Sequence, residues 1–207
     1  MTITATLIKE LRERTGVGPL DCKKALEQHN GDIDAAARYL REKGLAKADK
    51  KASRVANEGV IQSYQHFNGR IAVLVEVNCE TDFVAKTEQF QAFARDIALH
   101  IANMAPTCVT REEVPADLLE RERSIQRERV LQEGKPENVV DKIVDGRMDK
   151  FFEEIVLMEQ SFIKDDSKTI EDLRKETVAA IGENVVIRRF VRYELGETDE
   201  GSAEADE

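Results

Sequence analysis

The chain has 207 residues, of which 35% are charged and 41% apolar, and its net charge is −10. That length suits one or two domains with a real core, and 5% aromatics with no tryptophan favour a helix-rich fold with small satellite cores. No apolar run approaches the ~20 residues of a membrane span. The start, MTITATLIKELRER, lacks the features of a secretory signal, so a cytoplasmic protein without membrane contact is expected.

The charge is uneven. Residues 1–57 carry 12 Lys/Arg against 8 Asp/Glu, and residues 194–207 hold seven acids and no base. An acidic chain does not bind nucleic acid through bulk electrostatics. A protein partner is expected instead, with the basic N-terminal part facing an acidic surface. Cys22, Cys79 and Cys108 are odd in number and far apart, and no CxxC accompanies them. They read as reduced thiols, with no metal site and no cofactor implied.

In chain order, residues 4–44 read as three short helices. Thr4 caps the first, with Leu7, Ile8 and Leu11 on one face. TGVGP (15–19) breaks it, and Pro19 suits the first turn of the second, which carries Leu20, Ala25 and Leu26. NGD (30–32) turns the chain, and Asp32 caps the third, with Ile33, Ala36, Ala37 and Leu40 as its stripe and Gly44 as its stop. Residues 1–45 thus resemble a ubiquitin-associated-type three-helix module, a peptide-binding scaffold. Residues 46–57 are basic and Ala-rich, and read as a helical linker.

A core domain is expected over 58–196. EGVIQSYQH and RIAVLVEVN flank an Asn68-Gly69 turn and read as a hairpin, with Ile71, Val73, Val75 and Val77 facing the core. Thr87 caps a long helix with Phe90, Phe93, Ile97, Ile101 and Met104 along one stripe. TCVT (107–110) suggests a short edge strand. Residues 116–155 read as a helical-hairpin arm turned by GKP (134–136), with a thin seam of Leu118, Ile125, Val130 and Leu131 on its first helix. A helix over 169–182 and a strand over 184–195 follow, the strand joining the hairpin in a small antiparallel sheet. The tail, 197–207, reads as disordered. The fold class expected is α+β.

No Walker A loop, GxGxxG, G-x-S-x-G or HExxH is present, so an enzyme is not indicated. The informative stretch is NCETDFVAK (78–86), between strand and helix. Two readings of it stand. Phe83 is a lid folded on the core beside an Asp82–Thr81 cap, or Asp82 and Phe83 form a projecting tip for a partner.

EVNCETDFVAK (76–86) and LRERTGVGPLDCKKAL (11–26) closely resemble two signatures of the translation elongation factor Ts family, and the order of elements resembles that family from residue 1 to about 196. Pro19-Leu20 stands where the family often shows two Met. The resemblance implies a guanine-nucleotide exchange factor that binds elongation factor Tu, a GTPase, and makes or breaks no covalent bond itself. It implies that Thr81, Asp82, Phe83 and Val84 form a tip acting near the partner's Mg²⁺. It also implies that Arg12, Leu20 and Lys23, with Lys51 of the linker, dock the N-terminal module. The single copy of the sheet-and-helix core suggests a homodimer and a two-to-two complex. A ubiquitin-associated-type binding protein without exchange activity is the alternative, but it accounts only for the first 45 residues.

Overall fold

A computed structural model describes residues 3–197, apart from the side chains of 45–47. The expected disorder of the tail concerns residues that, from 198 on, lie outside the described ones.

Three helices open the chain: α1 (Ala5–Thr15), α2 (Pro19–Gln28) and α3 (Ile33–Lys51). Thr4 and Asp32 cap α1 and α3 by accepting the backbone N–H of Leu7 and Ala35. Leu11, Cys22, Ala25, Leu26, Ala36 and Leu40 form their shared core. Leu20 is not part of it and stands 74% exposed.

Gly44 does not end α3, which runs on through the expected linker to Lys51. The residue has a packing reason to be glycine. A Cβ there would sit 2.8 Å from the Cβ of Ala179, on the last long helix. Ala179 is itself a helix-borne methyl and cannot swing aside.

The larger core begins with β1 (Glu58–Gln65) and β2 (Ile71–Cys79), paired antiparallel with Val60 opposite Val77 and Tyr64 opposite Val73. After a short helix α4 (Asp82–Ala85), α5 (Glu88–Met104) lies across the sheet. Val73, Val75 and Val77 meet Phe90, Phe93, Ile97 and Ile101 in one buried cluster. Met104, the last of the expected stripe, is partly exposed. The segment TCVT forms only an isolated bridge, Cys108 to Val156.

The arm is α6 (Ala116–Gln132) and α7 (Glu137–Ile155). Its buried seam is Val130, Val140, Val144 and Met148, with Leu119 packed against it. Ile125 and Leu131 point outward. Arg123–Asp145, Arg127–Asp141 and Arg147–Glu133 pairs bridge the two helices.

A small hairpin, β3 (Ser161–Phe162) and β4 (Asp165–Thr169), was not evident from sequence. It leads into α8 (Ile170–Ile181), which ends at Gly182 with φ 89°, and β5 (Val186–Glu194) completes a sheet of order β1-β2-β5. The fold is α+β, with a small antiparallel sheet among helices.

His100 is fully buried on α5. Its Nδ1 accepts the backbone N–H of Ile163 at 3.3 Å, so its Nε2 carries the proton and donates to Gln160 Oε1 at 2.9 Å. Burial lowers its pKa from 6.5. The unfolded chain therefore takes up the proton first, and stability falls as pH drops below about 6.5.

Two checks follow from this packing. Gly44→Leu is expected to cost about 1–3 kcal/mol by overpacking, whereas Gly146→Ala on α7, with open space around it, gains about 0.5–1 kcal/mol. Urea unfolding measures both. The urea midpoint should also fall between pH 7 and 5, and His100→Gln should flatten that slope.

Candidate functional site

The tip is built between the end of β2 and the start of α5. Thr81 is extended and caps α4, its Oγ1 accepting the Val84 N–H at 3.3 Å. Thr87 closes the other end: its hydroxyl donates to Val84 O at 2.7 Å and accepts the Phe90 N–H that starts α5. Gln91 Nε2 donates to Ala85 O at 2.6 Å. Thr81, Val84, Ala85 and Thr87 are thus tied down on either side of Phe83.

Within it the side chains diverge. Phe83 is 76% exposed and does not fold back as a lid. Val84 is 7% exposed and joins the main core, so it anchors the tip and is not an open contact. Asp82 is exposed and pairs with Lys86 Nζ at 2.7 Å. The hydrogen bond from that ammonium, then its charge, hold the carboxyl below its ordinary range, so it is anionic at neutral pH. The cap is Thr81 itself, and Asp82 sits in the first turn after it.

The base of the tip is held from a distant part of the chain. Glu183 Oε2 accepts the backbone N–H groups of Glu80 and Thr81 at 3.1 and 3.0 Å, and its Oε1 accepts the Thr81 hydroxyl at 2.8 Å. Glu80 returns the contact, accepting the Asn184 N–H at 2.7 Å. Asn184 Nδ2 in turn donates to Ala52 O and Arg54 O. Cys79 lies beneath, its thiol donating to Thr81 O at 3.2 Å. Burial first, then the Glu183 charge, push that thiol up to about 11, so it stays protonated. Sequence reasoning missed Glu183 and Asn184, because nothing in the GEN triplet (182–184) points to residues 80 and 81.

The other expected site residues lie on two surfaces. Arg12 is exposed on α1. Leu20 and Lys23 are exposed one turn apart on α2, and Lys23 is 3.8 Å from Glu27. Gly16, at the end of α1, lies against Gln89 and Ala180, which brings the module beside the first turn of α5. Lys51 does not stand out as a contact on a linker. Its Nζ donates to Gly182 O at 2.5 Å, at the end of α8.

Among the described residues, no group of three His, Cys, Asp or Glu side chains is placed to hold a metal ion, and no helix is long and apolar enough to cross a membrane.

The family model described as Elongation factor TS matches residues 24–197. The Elongation factor Ts of Carboxydothermus hydrogenoformans is 60% identical over 195 residues, covering 94% of this chain and 90% of that protein. That of Geobacter sulfurreducens is 57% identical over 95% of this chain and 91% of its own. That of Thermoanaerobacter pseudethanolicus is 57% identical over 97% and 98%. With likeness along almost its whole length, the chain belongs to the elongation factor Ts family.

Proposed function

We propose that this protein is the nucleotide-exchange factor of elongation factor Tu, and that the tip does the work. The observation that carries this reading is Phe83, a large aromatic held 76% exposed on a turn whose every end is tied down. An aromatic kept in water at such cost in apolar exposure fits a role as an anchor for a partner's apolar pocket. The anionic Asp82 beside it then reaches the partner's Mg²⁺ and phosphate site. Leu20, Lys23 and Arg12 add a second docking surface on the N-terminal module.

The energetics need only linkage. In the GTPase, Mg²⁺ and the phosphate-binding loop hold GDP. A wedge that disturbs the ion weakens GDP only if the two bind with negative coupling, and GDP then weakens the wedge by the same factor. A coupling of about 3 kcal/mol corresponds to about 150-fold. GTP later displaces the factor through the same linkage, and no covalent chemistry is required.

The outer face of the sheet carries Ile61, Leu74, Val191 and Tyr193, all exposed, with Leu74 directly opposite Val191. We read this face as the seat of a second copy, because a two-fold dimer requires one self-complementary patch. A two-to-two complex with the partner follows.

Release of a fluorescent GDP analogue from elongation factor Tu tests the exchange role. The wild type should accelerate it, and Phe83→Ala should cut the efficiency by about 30-fold, as for an interface hot spot. The same change should leave stability within about 0.5 kcal/mol, because the ring is exposed. A loss of about 3–5 kcal/mol would mark a core residue instead. Light scattering should give twice the monomer mass, and Leu74→Arg should halve it. A monomeric wild type would contradict the dimer.

A further inference from the structure

We propose that Glu183 is a positioning residue for the tip, setting the angle at which Phe83 leaves the core and so the fraction of molecules ready to dock. The proposal rests on the exchange reading above. Its observation is independent of Phe83: a carboxylate from the far end of the chain collects three donors from two consecutive residues, Glu80 and Thr81.

The third bond matters most. By donating its hydroxyl proton to Glu183, Thr81 is left with its oxygen lone pairs facing the Val84 N–H. That is the capping bond of the turn bearing Phe83. One carboxylate therefore fixes both the strand end and the direction of the next turn. A glutamine offers a single acceptor oxygen. Its amide would turn N–H groups toward the Thr81 hydroxyl, which must then accept them in competition with the cap.

The clamp also extends the other way. Glu183 sits between Gly182, whose carbonyl accepts from Lys51, and Asn184, whose side chain holds Ala52 and Arg54. Lys51 is the last residue of α3, which begins in the N-terminal module. The tip and the module that carries Leu20 and Lys23 are thus referenced to one short segment, 182–184. A partner that touches both meets them at a fixed spacing.

Loosening such a clamp lowers the competent fraction, and the apparent dissociation constant rises in inverse proportion. At saturation the partner selects the competent state, so the maximal rate is kept. A merely structural defect would do the opposite, removing active molecules and lowering the maximal rate at unchanged half-saturation.

The chain has no tryptophan, so Phe83→Trp supplies a sole fluorescent reporter at the tip. In that background, Glu183→Ala should lower the tryptophan anisotropy, with Glu183→Gln between it and the parent. With Phe83 intact, Glu183→Ala should raise the half-saturating concentration of elongation factor Tu·GDP by at least about 10-fold, the size of one of the three charge-assisted bonds it removes. The maximal exchange rate should hold within about twofold, which is the mark of selection at saturation. Thr81→Val, which removes the hydroxyl donor, should shift half-saturation in the same direction and serves if Glu183→Ala folds poorly. Unchanged anisotropy, unchanged half-saturation, or a fall in maximal rate alone would overturn the proposal. A wild type that fails to speed GDP release overturns the exchange reading. A working wild type with an unaffected Glu183→Ala overturns only the positioning role.

Discussion

The packing of β2 on α5 is the contact on which the rest depends. Val73, Val75 and Val77 are buried against Phe90, Ile97 and Ile101, and the tip is the only chain between the end of that strand and the start of that helix. Fixing both elements fixes both ends of a connection too short to wander. Val84 and Ala85 then add the tip's own inner side to the same cluster. What is left outside is Thr81, Asp82, Phe83 and Lys86, so exposure of the aromatic is a result of geometry and not of looseness.

Hydrogen bonds do what apolar packing cannot, which is to set direction. Apolar burial is non-directional, whereas the Thr81 and Thr87 caps and the Glu183 carboxylate each fix a bond vector. Rigidity of this kind favours binding, because an ordered side chain has less freedom left to lose on docking. The Asp82–Lys86 pair is exposed and adds little to stability. It leaves an anionic carboxylate beside the ring.

Much of this was legible in the sequence, for local reasons. Thr4, Asp32 and Thr87 each precede an apolar periodic run, and each caps a helix. The alternation in β2 marked its buried face correctly. What failed was information held at long range. Gly44 looked like a stop signal, but its lack of a side chain serves the approach of Ala179, 135 positions away. Val84 looked like part of an open tip, and only the fold reveals that the core lies beneath it. Lys51 reads from sequence as a docking residue on the linker, and only the meeting of α3 with the end of α8 reveals the carbonyl it bonds. Glu183 had no signal at all, since its three donors lie about a hundred residues upstream. The β3–β4 hairpin was missed because its strands are two and five residues long and mostly polar.

The proposed exchange role requires negative coupling between this chain and GDP on one partner. The direct measurement is a pair of titrations by calorimetry at fixed Mg²⁺: elongation factor Tu with this protein, in the absence and presence of GDP, and with GDP, in the absence and presence of this protein. The two affinities should weaken by the same factor, on the order of 100-fold. An affinity for this protein that GDP leaves unchanged would contradict the account, however tightly the two proteins bind.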